Sequence, residues 1–313
     1  MGVVMAELVE VASGLAFPEG PIAMPDGTVI LVEMFGPRLT RVHPDGTKQT
    51  IAEIAGGPNG AAMGPDNKVY VCNNGGRFTE TQLDGMIFPG ACTMSKYIGG
   101  RIQTVDLATG EVRDLYTECN GKPLWAPNDL VFDAHGGFYF TDHGMEDLEA
   151  RVHHMSGIYY AKADGSSISE VAFPVHDPNG IGLSPDGTML YWAETWHGRV
   201  MQRHITAPGV VAEAGPVDTS VCLYGFPGFQ LLDSLGVDSA GNVCVATLVN
   251  GGISIISPDG KLIDFVATGD ILTTNICFGG QDLSTAYITV SSTGKLLKMQ
   301  WPRPGAKLHH LNV

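Results

Sequence analysis

One short phrase recurs six times along the 313-residue chain, and an oxygen-bearing side chain marks each copy. The copies are Pro18-Glu19-Gly20, Pro58-Asn59-Gly60, Pro127-Asn128-Asp129, Pro178-Asn179-Gly180, Leu232-Asp233-Ser234 and Thr274-Asn275-Ile276. Glu19 and Asp233 are carboxylates; Asn59, Asn128, Asn179 and Asn275 each offer a neutral amide oxygen. Two negative charges among neutral oxygens suit one hard divalent cation and leave coordination positions for water or substrate. Asn and Asp also recur in turns for purely backbone reasons. Glutamate has no comparable turn role, yet Glu19 holds the same phase.

The elements that must position these side chains follow from the spacing. The marked residues lie 40, 69, 51, 54 and 42 positions apart, a period that fits four-stranded blades and predicts an all-β fold, a six-bladed β-propeller with a central metal site. Within each repeat a turn signal such as Pro25-Asp26-Gly27 or Pro185-Asp186-Gly187 separates two apolar stretches, which reads as a hairpin. The hairpin returns Glu33, Asn73, Asp142, Glu194, Thr247 and Thr289 to the edge where the marked residues begin. Residues 1–313 read as one propeller domain, and the unrepeated stretch Leu8 to Val11 is expected to pair into the last blade as its outer strand.

Composition agrees: 41 glycines and 44% hydrophobic residues suit many short buried strands. A net charge of −15 is the wrong sign for nucleic acid or an anionic membrane surface, so neither is an expected partner. Glu7 and Glu10 stand where a signal peptide would be basic, and no run reaches membrane-spanning length, so the cytoplasm is the expected compartment. Six cysteines without a CxxC pair, three of them (Cys72, Cys244 and Cys277) inside strand-like runs, read as free thiols. There is no Gly-x-Ser-x-Gly elbow and no His-Glu-x-x-His helix, which disfavours serine and zincin hydrolases.

Phe17-Pro18-Glu19-Gly20-Pro21, Ala126-Pro127-Asn128-Asp129-Leu130-Val131-Phe132-Asp133, Pro178-Asn179-Gly180-Ile181 and Cys277-Phe278-Gly279-Gly280 resemble, in order, the motifs of the regucalcin, gluconolactonase and luciferin-regenerating enzyme family. The stretch Pro127 to Asp142 also resembles drug-responsive bacterial lactonases of that family. The resemblance implies a propeller hydrolase with one central divalent cation, Ca²⁺. It implies Glu19, Asn179 and Asp233 as ligands, and Asn128 at a position that binds metal in some members and substrate in others. Asn59 and Asn275 share the phase but fall outside the match, so they are expected beside the metal rather than on it, Asn59 within reach of substrate.

Sugar-lactone members of that family carry an arginine two residues before the third-repeat Asn, where this chain has Ala126 next to Trp125. Met34, Phe35, Trp196, Tyr224 and Phe226 also fall near the same edge, which points to an apolar or aromatic lactone as the small-molecule substrate. His143 and His197 are phased as proton carriers, whereas His153-His154 falls in a loop. The surplus between the second and third repeats, residues 75–100, is rich in glycine and reads as a lid over the channel. The expected activity is therefore that of a metal-dependent lactonase, with Asp233 as general base. Phosphotriester hydrolysis on the same crown of oxygens, or calcium binding without turnover, are the alternatives.

Overall fold

The structure, a computed structural model, describes residues 7–91, 93–215 and 217–312. Cys92 lies outside the described residues; the other five cysteines are free thiols. Among the described residues there is no α-helix, only single 3-10 turns at Pro65–Asn67 and Thr219–Val221.

Six antiparallel sheets surround an axis. Their innermost strands are Pro18–Ala23, Pro58–Met63, Pro127–Phe132, Pro178–Leu183, Leu231–Val237 and Thr273–Gly279. Each inner strand packs on the next and the sixth packs on the first, so the ring is closed. The sixth sheet takes its outer strand from the N-terminal segment Val9–Ala12, which pairs antiparallel with Lys295–Gln300. Glu10 and Lys295 meet there at 2.9 Å.

Apolar side chains on both faces of these sheets explain why the blades stack. Six core clusters occur among the described residues, one in each gap between blades. Ile22, Ile30 and Val32 of the first blade, for example, meet Met63, Val69 and Val71 of the second. Burying such side chains stabilises by roughly 1.5–3 kcal/mol each, which makes the gaps the main source of ring stability.

Near the axis the inner strands approach until their backbones touch. A Cβ on Gly20 would lie 2.5 Å from Ala61 N, one on Gly60 2.5 Å from Asn128 O, and one on Gly180 2.4 Å from Leu235 N. Glycine follows the marked residue in these three repeats because no side chain fits there.

Two additions decorate the face that carries the marked residues. Phe78–Leu83 and Met86–Ala91 form a hairpin within the long second repeat, and Ile87 N donates to Ser292 O of the sixth blade at 2.8 Å. Met145–Asp147 and Val152–His154 form a smaller hairpin on the third blade.

Candidate active site

The return strands pair as the hairpin pattern predicts. Glu33 faces Pro18, Asn73 faces Pro58, Asp142 faces Pro127, Glu194 faces Pro178 and Thr247 faces Leu232, each one residue before a marked position. All six inner strands then break register within the next few residues. A bulge of this kind re-aims side chains, and here it turns the marked residues into a cavity of about 380 Å³ at one end of the channel.

Glu19, Asn59, Asn128, Asn179 and Asp233 line that cavity, and Thr274 completes the ring. Asn275, phased with the others by sequence, instead faces the opposite end. The sixth repeat is thus offset by one: its threonine takes the marked position, and the asparagine takes the place that Gly20, Asp129 and Gly180 hold elsewhere. From there Asn275 Nδ2 donates to Glu19 Oε2 at 3.2 Å.

In the first three hairpins the two ends have different tasks. Glu33 accepts from Ala16 N at 2.7 Å and binds Arg38 through both oxygens. Asn73 Oδ1 accepts from Gly57 N at 2.9 Å, and Asp142 accepts from Trp125 N and Ala126 N at 2.7 Å. These residues satisfy backbone donors of the loops that enter the inner strands. The marked side chains are left free to face the channel.

Their unmet valences are specific. Asn128 Oδ1 and Asn179 Oδ1 are buried and accept no hydrogen bond among the described residues, although Asn179 Nδ2 is anchored on Thr195 Oγ1 at 3.1 Å. An orphaned buried acceptor costs about 1–3 kcal/mol unless something else satisfies it. Among the described residues neither Glu19 nor Asp233 pairs with a cationic side chain. Burial pushes the Glu19 carboxyl up to about 7 against the hydrogen bonds from Asn275, Gly20 and Thr274. Burial, and after it the charge of Glu19, pushes Asp233 well above the usual carboxylate range. Asp129, just beneath the ring, is raised by burial to about 8.

Two uncompensated carboxylates and two donorless amide oxygens fit one hard cation. Among the described residues no three His, Cys, Asp or Glu side chains cluster, so the donor set relies on amide oxygen. A larger cavity of about 530 Å³ opens at the other end of the channel, with Asp129, Leu130, Ile181 and C-terminal residues such as Ala306 and Leu308 in its wall. Neither Glu19 nor Asp233 faces it.

The expected substrate residues divide. Met34, Asn59, His143 and Trp196 line the site cavity, with Trp196 at the rim, 58% exposed. His143 Nδ1 lies 3.3 Å from Pro178 O, and burial followed by the Arg77 charge holds its pKa well below the ordinary imidazole value, so the ring is neutral. Trp125, Phe35 and Phe226 are absent from the wall. Trp125 stacks on His154 with centroids 4.0 Å apart, Phe35 packs on Phe17 at 5.1 Å, and Phe226 lies edge-on to Tyr224 at 4.9 Å. Ala126 is fully buried outside the wall. His197 pairs with Glu194 at 3.6 Å instead of entering the cavity.

The cavity also holds residues that sequence reasoning passed over: Thr195, Thr274, Arg77 and Phe78. Arg77 had a visible signal as a basic residue between the glycine pair and Phe78 at the start of the long second-repeat surplus. Thr195 had none beyond following Glu194.

Residues 17–292 match the family described as SMP-30/Gluconolactonase/LRE-like region. The chain is 26% identical to a gluconolactonase of Zymomonas mobilis over 317 residues, covering 90% of this chain and 78% of that one. It is 26% identical to lactonase drp35 of Staphylococcus haemolyticus over 243 residues, 77% of this chain, and spans 66% of that relative's length. Its fold matches that of a calcium-binding regucalcin of Agrobacterium tumefaciens with a TM-score of 0.73 and 18% identity, covering 99% of this chain and 98% of the other. With the family match running from the first inner strand into the sixth blade, the chain belongs to the SMP-30/gluconolactonase/LRE-like family.

Proposed function

We propose that this chain hydrolyses a lactone with the help of one divalent cation, calcium first among the candidates, held by Glu19, Asn128, Asn179 and Asp233. One observation carries the reading: two buried amide oxygens without donors stand beside two buried carboxylates without counter-ions. The names of the gluconolactonase and lactonase relatives support the reaction class, and the calcium-binding neighbour supports the choice of ion. When bound, the cation supplies a Lewis acid for the acyl oxygen and favours the ionised form of its carboxylate ligands.

The protein's own groups supply the rest. Asp233 accepts the proton of a water as its oxygen bonds to the acyl carbon. The acyl carbon to ring oxygen bond breaks, and the ring oxygen takes the proton, giving a hydroxy acid. Neutral His143 cannot compete as a cation, and Asn59 offers an amide to the substrate's oxygens. Residues 75–100 act as the lid, because Phe78, Phe88 and Pro89 of that segment form part of the cavity wall. With Met34 and Trp196 they make a surface that gains from an apolar substrate at about 25 cal/mol per Å² buried.

A panel of lactones and a phosphotriester, assayed on chelated protein before and after calcium is restored, tests this. Calcium-dependent lactone hydrolysis is expected, with a higher kcat/KM for dihydrocoumarin than for gluconolactone. Full activity after chelation would overturn the metal reading, and preference for gluconolactone would overturn the apolar one.

A further inference from the structure

Resting on the lactonase reading, the structure assigns Arg77 as the receptor for an anionic group of the substrate, so that the natural lactone is one whose apolar ring bears a carboxylate. Arg77 is only 6% exposed, yet it lines the cavity that holds Glu19 and Asp233. Its backbone is clamped by Asn74 Oδ1, which accepts from Arg77 N at 3.1 Å, and the Phe78 ring lies 5.1 Å from its Cζ. Nη1 donates to His143 O at 3.1 Å and to Gly144 O. Both acceptors are neutral carbonyls.

A buried guanidinium ordinarily answers to a carboxylate. Among the described residues none lies within ion-pair distance of Arg77. Asp142 is occupied by the N–H groups of Trp125, Ala126 and Gly144, and Asp177 faces His153 at 3.6 Å. Glu146 touches the same cavity but is exposed at its rim. Among the described residues Nε and Nη2 find no hydrogen-bond acceptor, and they are not among the sealed polar atoms, so they open to the cavity that Arg77 lines. A planar fork with free donors matches a carboxylate.

The charge balance points the same way. A divalent cation would offset Glu19 and Asp233, while Asp177, Glu146 and Asp142 act on Arg77 only through space, so among the described residues its guanidinium charge has no bonded counter-ion. A neutral lactone leaves that charge unanswered. A lactone carboxylate answers it, while its ring rests on Phe78, Phe88 and Met34.

Two substrates test the assignment: a γ-butyrolactone with a carboxylate on the carbon beside the ring oxygen, and its primary amide. Wild-type protein with calcium should favour the carboxylate by about 10- to 100-fold in kcat/KM, the scale of a buried charge-assisted hydrogen bond. Arg77→Gln should remove that preference by raising KM for the carboxylate while leaving the amide nearly unchanged, and Arg77→Lys should restore part of it. Equal handling of both lactones by the wild type, or an equal loss on both in Arg77→Gln, would overturn the assignment and leave Arg77 as a prop for the 143–144 turn. Should neither lactone nor dihydrocoumarin be turned over, the lactonase reading fails, and calorimetry of the two hydroxy acids still decides: the dicarboxylate must bind wild type more tightly than Arg77→Gln, and the hydroxy amide acid must not distinguish them.

Discussion

Asn275 Nδ2 reaches Glu19 Oε2 at 3.2 Å from the far end of the chain, joining the sixth inner strand to the first beside the site cavity. Its own Oδ1 is held by Ile276 N at 2.8 Å, so the amide is fixed in orientation. Asn275→Ala should weaken calcium binding several-fold, because Glu19 loses a donor that favours its charged form, and should cost about 1 kcal/mol of stability. Calorimetric titration and a thermal melt read the two effects separately; an unchanged calcium Kd would refute the link.

Thr195 does for Asn179 what Asn275 does for Glu19. Holding Nδ2 leaves Oδ1 turned toward the channel. Thr195→Val keeps the volume and removes the acceptor, so calcium affinity should fall by about tenfold, as when a group that orients a ligand is lost. Thr195→Ser should retain most of the affinity, which separates the hydrogen bond from packing.

Asp233→Asn tests the proton acceptor. The amide keeps an oxygen for the cation but cannot take a proton, so turnover should drop by about 10² to 10⁴-fold with the fold intact. Glu19→Gln should act first on calcium affinity, and excess calcium should recover much of its rate. Wild-type kcat in Asp233→Asn would remove that residue from the chemistry.

Stability should depend on pH in a direction that calcium reverses. Glu19, raised to about 7, and Asp129, raised to about 8, lie above the ordinary carboxyl values of 4.5 and 3.8. Without calcium the folded chain therefore holds more protons than the unfolded one, and this contribution, full below the unfolded values, is lost as pH rises through the folded ones. The Tm of chelated protein should fall between about pH 5 and about pH 8, while saturating calcium, which needs the carboxylates ionised, should stabilise more at the upper end. A flat profile without calcium would show these carboxyls to be unshifted.

Much of this arrangement was legible in the sequence. The propeller follows from the phased hairpins because turn chemistry and strand alternation are local. Ring closure by residues 9–12 follows because that strand has no repeat of its own. Residue type sets the sixth repeat one place out because an asparagine follows Thr274, and it cannot reveal where a bulge turns the strand. The aromatic wall was harder still. Trp125, Phe35 and Phe226 sit near the right edge in sequence but pack on His154, Phe17 and Tyr224. Phe78 and Arg77 enter from an insertion whose path no periodicity encodes.

The clasp between Val9–Ala12 and Lys295–Gln300 sets an order of events during synthesis. Residues 13–294 lie between the two strands, so at about 5–20 residues per second the first waits roughly 15–60 s for its mate to leave the ribosome. Throughout that interval it is a strand without a partner. Glu10 sits on this strand and repels like segments on neighbouring nascent chains. When Lys295 arrives, the same charge becomes half of the ion pair at the seam. One carboxylate thus guards the open strand and then marks where the ring is to close.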